Sequence, residues 1–145
     1  MKLLIQRVKS ASVTVEGEVV GAIHKGLLVF LGISKTDNEE NCDFHIKKLL
    51  SLRLFPDEKG KMNLSVQDIE GEILLVSQFT LYGNCQKGRR PSFDRAASPE
   101  RAKLIYDAFL IKLKSMHSFV ESGQFQASMD VSLVNDGPVT FILES

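Results

Sequence analysis

Only two cysteines, four prolines and three histidines occur in 145 residues, and positive and negative side chains balance at 18 each. Cys42 and Cys85 are far apart and form no Cys-x-x-Cys pair. That excludes a disulfide framework and a zinc site, and leaves two reduced thiols of the kind expected in the cytoplasm. The longest apolar run, Leu27 to Leu31, is far short of the roughly 20 residues that span a bilayer. Met1 to Ile5 starts like a signal peptide, but Gln6, Arg7 and Lys9 break the run too early. A net charge of +0 provides no global field to gather nucleic acid.

Conventional catalysts are equally scarce. His24, His45 and His117 are scattered, and no Gly-x-Ser-x-Gly elbow, His-x-x-His or His-Glu pair is present. The pairs Glu39-Glu40 and Asp57-Glu58 belong to caps and turns. Gly83 and Gly88 lack the Gly-Lys-Ser/Thr ending of a phosphate loop. Side-chain catalysis has no support in the pattern, and neither a metal nor a cofactor is expected.

What is present reads as one α+β domain spanning residues 1–145, a length and 43% hydrophobic composition that suit a single core. Leu3–Val8 is a short strand. Ala11–Val15 and Val19–Ile23 alternate around Glu16-Gly17-Glu18 as a hairpin. Gly26–Ile33 is apolar on both faces, as a buried central strand is. Thr36-Asp37-Asn38-Glu39 resembles a capping box opening a helix, whose buried face is Cys42, Ile46, Leu49 and Leu50. Glu72–Gln78 is a further apolar strand. Ser98 as cap and Pro99 at the first position open a second helix with the stripe Ala102, Ile105, Phe109, Leu113 and Met116. Phe119–Phe125 and Met129–Leu143 return to strand. The expected architecture is a curved or barrel-like sheet with two helices packed outside.

Three segments stand out. Ser77-Gln78-Phe79-Thr80 lies where a buried strand surfaces, and its polar groups are odd ends for so apolar a strand. Lys87, Arg89, Arg90 and Arg95 cluster in a polar loop opposed only by Asp94, which is either a solvated loop or a phosphate contact. Gly137-Pro138 interrupts strand character on both sides. Proline cannot donate to a ladder and glycine leaves the pleat bare, so the step can aim backbone carbonyls at a ligand.

These segments, with Ile5-Gln6-Arg7-Val8, Leu52-Arg53 and Gly60 to Ser65, resemble the D-aminoacyl-tRNA deacylases over essentially the whole chain. The strings Ser-Gln-Phe-Thr and Gly-Pro-Val-Thr are specific as a pair. The resemblance implies a cytoplasmic homodimeric editing hydrolase that proofreads aminoacyl-tRNA, with no membrane association and an active site at the subunit interface. It implies that Gly137-Pro138 is a Gly-cisPro step reaching the partner's site, where its carbonyls refuse an L-amino acid. Ser77, Gln78, Phe79 and Thr80 would form the opposite catalytic wall, with backbone N–H groups near Gln78 and Phe79 as an oxyanion hole. Phe125, Ala127 and Met129 would line the pocket, and Lys87, Arg89, Arg90 and Arg95 would contact tRNA.

Thr80 is open as a nucleophile. An unassisted threonine hydroxyl is weak, and the substrate's vicinal ribose hydroxyl is the alternative activator. Exclusion would also admit glycyl-tRNA, since glycine has no side chain to refuse. The chain departs from the family at Gln126, where a glycine is usual, which bears on the shape of that wall. A non-catalytic RNA-binding module and a small-molecule-binding dimer are the competing classes.

Overall fold

The computed structural model describes residues 1–144. Its longest elements lie side by side. β1 (Lys2–Val15) pairs antiparallel with β8 (Asp130–Glu144) along one edge. Its other edge is covered end to end by β2 (Glu18–Ile23) and β3 (Gly26–Gly32). The two short strands expected at the start are thus one, bent at an irregularity between Val8 and Ser10. The bend arises where β1 has Lys9 in addition to the residues paired with Val134 and Asn135. An extra residue in one strand of a pair tightens the local twist.

β6 (Glu72–Ser77) adds parallel to β3, and β7 (Val120–Ser122) adds parallel to β6. Parallel neighbours need long crossovers. α1 (Glu39–Ser51) lies in the first crossover, and α2 (Pro99–Met116) lies in the second. A small ribbon of β4 (Phe55–Pro56) and β5 (Met62–Leu64) also lies in the first. The sheet order β2-β1-β3-β6-β7 curls until its ends approach. A β-carbon on Gly21 of β2 would stand 2.6 Å from the Ser122 carbonyl oxygen of β7, so only glycine allows that closure. The result is a nearly closed α+β barrel with two outer helices.

Alternation in β3 and β6 divides the core. Leu27, Val29, Leu31, Ile73 and Leu75 face Cys42, Ile46, Leu49, Phe109 and Leu113 of the helices. Leu28, Leu74 and Val76 turn instead into the barrel against Val8, Val13 and Ile23. Ser98 caps α2 by accepting from the Arg101 N–H at 3.4 Å, with Pro99 at the first position. The α1 cap is Asn38, in a reciprocal box with Asn41, and Asp37 has a different role. Its carboxylate is buried against the Met1 α-ammonium at 2.6 Å. Met116, expected in the buried stripe, is exposed as the last residue of α2. The strand expected over 119–125 is confined to Val120–Ser122.

The Gly-Pro interruption has a defined form. Gln6 pairs with Thr140 and Val8 with Asn135, so Asp136 to Val139 all stand opposite Arg7 alone. β8 resumes its ladder on both sides of this excursion. The Gly137–Pro138 peptide bond is cis.

Candidate active site

Leu31 and Ile33 are followed by a loop that packs beside the end of β6, and between them a cavity of about 1060 Å³ opens. Its floor is Ser77, Gln78 and Phe79. One wall is Phe93, Asp94, Ala96 and the start of α2, and the other is Phe125, Gln126, Ala127 and Met129. The sequence-expected wall and pocket residues therefore do meet, apart from Thr80. That residue is exposed in the one-turn 3-10 helix Phe79–Tyr82 and does not line the cavity. Its hydroxyl accepts a hydrogen bond from the Gln78 side-chain amide.

The two backbone donors expected here are not equivalent. The Gln78 N–H donates to the Leu31 carbonyl at 2.8 Å, continuing the β3–β6 ladder. It is not free to meet an oxyanion. The Phe79 N–H opens the 3-10 turn and has no acceptor among the described residues. The Phe79 ring stands edge-on to Phe93 at 5.1 Å, which fixes one rim of the cavity.

Among the described residues no histidine lines this cavity, and Asp94 is its one carboxylate. His45 is fully buried with Nδ1 2.8 Å from the Asn41 carbonyl, and burial lowers its pKa. His117 is held at 2.7 Å to the Gly71 carbonyl, and His24 sits by Glu72 on the far hairpin. Burial pushes the Cys42 thiol up to about 11, so it is inert. The Tyr106 hydroxyl, pushed up to about 12 by burial, donates to the Leu75 carbonyl and acts as a strut. Among the described residues, no group of three His, Cys, Asp or Glu side chains is arranged to hold a metal ion.

Gly137 and Pro138 do not line the cavity of their own chain. They are held elsewhere, by Arg7. Its guanidinium donates to the Leu54 carbonyl at 2.6 Å, and Nε lies 2.9 Å from Asp136 Oδ2, an ion-pair distance off the line of a directed hydrogen bond. Gln6 adds amide contacts of 3.4 Å to Asn135 and to Thr140, at the two ends of the excursion. Nothing in the sequence around Gln6 and Arg7 marks this role. Their partners lie some 130 residues away, and no local pattern marks such a pair.

Lys87, Arg89 and Arg90 sit at the exposed tip of a loop whose base is closed by Asn84 and Ser92, bonded at 2.8 and 3.1 Å. None of the three has an ion-pair partner among the described residues. Arg95 differs, with its guanidinium 5.7 Å from the Tyr82 ring centre. Asp94 and Ser98 line the cavity without having been expected there, whereas Gln126 stands on the wall whose shape its departure from the family concerned. Only the departure at Gln126 had signalled anything in the sequence.

The sequence profile of a family described as D-Tyr-tRNA(Tyr) deacylase matches residues 4–144. A D-aminoacyl-tRNA deacylase of Geotalea daltonii is 58% identical over 145 residues, covering 100% of this chain and 97% of that protein. One from Thermosipho africanus is 56% identical with the same coverage. Among solved structures, a c-Myc DNA unwinding element binding protein superposes with a TM-score of 0.95 at 45% identity, covering 100% of this chain and 99% of that one. A probable eukaryotic D-amino acid tRNA deacylase superposes with a TM-score of 0.85 at 18% identity, covering 98% and 97%, and shares the fold. No helix among the described residues is long and apolar enough to cross a membrane.

Proposed function

We infer, from the premise that the chain belongs to the D-Tyr-tRNA(Tyr) deacylase family, that it is a hydrolase cleaving the ester of D-aminoacyl-tRNA. The observation that carries the mechanistic reading is the cavity itself. It joins a free Phe79 N–H to polar Ser77 and Gln78, yet among the described residues no hydroxyl that lines it is hydrogen-bonded to a histidine or to its one carboxylate, Asp94. A hydrolase whose hydroxyls are not paired with a base can take that help from the substrate. The ribose hydroxyl vicinal to the ester lies beside the carbonyl, and in this reading it activates or guides the attacking water. Phe79 N–H then steadies the developing oxyanion, a role in which one donor is worth ~2.7–4 kcal/mol.

Selectivity in this reading comes from the partner subunit. Among the described residues β8 has a ladder partner on one edge only, Leu133, Val134, Phe141 and Ile142 are exposed along it, and the Gly137-Pro138 excursion lies on the same strand. A second copy covering that edge would bring its Gly137-Pro138 carbonyls to the cavity mouth. An L side chain meets those carbonyls, and a D-aminoacyl hydrogen does not. A thousandfold preference requires only ~4 kcal/mol, within reach of overlap with a braced backbone. Glycyl-tRNA passes the same filter. The basic tip Lys87, Arg89 and Arg90 takes acceptor-end phosphates, with Arg95 at its base.

The deciding assay measures free amino acid released from matched D-, L- and glycyl-tRNA, with a metal chelator present and with a terminal 2′-deoxyribose as comparison. Release from D- and glycyl-tRNA alone, lost with the deoxyribose, supports the reading. Equal D and L release removes the filter. The likeness to a protein titled for binding a DNA element favours a nucleic-acid-binding module as second reading. Tight tRNA binding with no release from any substrate would favour that module.

A further inference from the structure

Three residues other than glycine have a left-handed backbone: Glu16 at φ 50°, Glu70 at 51° and Gln126 at 62°. The first two lie in ordinary chain reversals. Glu16 precedes Gly17 (φ 82°) in the two-residue loop of the β1–β2 hairpin, where both positions require positive φ. Glu70 closes a turn on the Gln67 carbonyl at 3.1 Å before Gly71. Gln126 alone of the three lines the catalytic cavity.

Its local geometry is that of a turn from Gln124 to Ala127, closed by the Ala127 N–H on the Gln124 carbonyl at 3.3 Å. Gln126 occupies the third position at φ 62°, a left-handed value of the kind type II turns have there and one that glycine adopts without strain. The turn also borders a second cavity of about 490 Å³ against the β1–β2 hairpin. A strained residue kept on the wall of a site points to a use for its side chain.

We propose that Gln126 reads the base of the tRNA's terminal nucleotide, an inference that rests on the deacylase reading above. The ester and the base hang from one ribose, so a cavity that receives the carbonyl at Phe79 also receives the nucleoside. A volume of about 1060 Å³ is ample for both. Two carboxamides line it. That of Gln78 is engaged with Thr80, whereas that of Gln126 has no partner among the described residues. A glutamine amide matches adenine, its oxygen accepting from the exocyclic amine and its NH₂ donating to the adjacent ring nitrogen. Phe125, its ring packed on Tyr106 at 5.4 Å, and Met129 add apolar surface to the same wall.

The test compares hydrolysis of D-aminoacyl-tRNA by the full-length protein and by Gln126→Ala and Gln126→Gly. The substrates end either in adenosine or in purine riboside, which lacks the exocyclic amine. Alanine keeps the left-handed strain and removes the amide, and glycine removes both. The wild-type protein should lose about tenfold in kcat/KM when the amine is removed. Each variant should lose about as much on adenosine and be indifferent to the amine. Gln126→Gly should also melt above Gln126→Ala. A wild-type protein indifferent to the amine, or variants as sensitive to it as wild type, would overturn the proposal. Equal melting of the two variants would also overturn it, since the left-handed backbone would then carry no strain for the side chain to offset. A wild-type protein inactive on any D-aminoacyl-tRNA overturns the deacylase reading, and this inference falls with it.

Discussion

Nε of Arg7 lies 2.9 Å from the Asp136 carboxylate, immediately before Gly137-Pro138, while its terminal nitrogen donates to the Leu54 carbonyl at 2.6 Å. One buried guanidinium thus ties the β8 excursion to both β1 and the segment after α1. Removing it strands a buried carbonyl and a partly buried carboxylate together. Arg7→Ala should therefore lose roughly 2–4 kcal/mol of stability in urea unfolding. It should also lower the D-over-L hydrolysis ratio, because the excursion is no longer braced. Asp136→Asn, which keeps the shape, should cost about 1 kcal/mol. An Arg7→Ala protein with wild-type stability and selectivity would show that the brace carries neither.

Asp37 is held below its ordinary carboxylate value. Burial alone would raise it, but hydrogen bonds from the Met1 ammonium and from Ser34 outweigh that. A depressed folded-state value means that the contribution is present above the unfolded pKa, ~3.9, and is lost as pH falls through the folded value. The melting temperature of the wild-type protein should thus fall more steeply below about pH 4 than that of Asp37→Asn. Parallel curves for the two proteins would assign the acid sensitivity to other groups.

Much of this fold was legible because its signals are local. The two-faced apolar run of β3, the Glu16-Gly17 reversal and the Ser98-Pro99 helix start each declare themselves within a few residues. Met116 falls outside the core because a 3.6-residue stripe does not say where the helix ends, and Met116 is its last residue. Asp37 looked like part of a cap because its partner, the chain's own α-amine, lies 36 residues away. The site shows the same division. Gly137-Pro138 was visible as a break in a strand, whereas Arg7, Gln6 and the prior commitment of the Gln78 N–H depend on pairing between strands.

Thr80 stands outside the cavity lining, exposed, with its hydroxyl accepting from the Gln78 amide. A nucleophile would need a base and a path to the carbonyl, and neither is evident. Thr80→Ala should retain kcat within about threefold, a loss of no more than ~0.7 kcal/mol in barrier. A hundredfold loss in kcat with unchanged KM would restore it as a direct participant.

At the tip of the 84–92 loop, Arg89 and Arg90 are exposed and without ion-pair partners among the described residues. If each neutralises one phosphate, Arg89→Ala with Arg90→Ala should weaken tRNA binding. The slope of log affinity against log salt should become shallower by about 1.4–1.8. Stability should be unaffected, since neither side chain packs on the core. An unchanged salt slope would return the loop to a solvated role.

Ile142 is 65% exposed and Val134 is 51% exposed on the strand that carries Gly137-Pro138. If a second copy covers that strand, a charge there would be buried without a partner, at a cost of several kcal/mol. Ile142→Glu should shift the protein to a monomer in sedimentation at micromolar concentration. The chain's own core is untouched, so secondary structure should persist. Because the filter is then absent from the neighbouring cavity, the monomer should lose the preference for D- over L-aminoacyl-tRNA, whatever residual turnover it keeps. A monomeric Ile142→Glu that still rejects L-aminoacyl-tRNA would place the chiral filter within a single chain. Gly137-Pro138, which does not line its own chain's cavity, could not then be the filter.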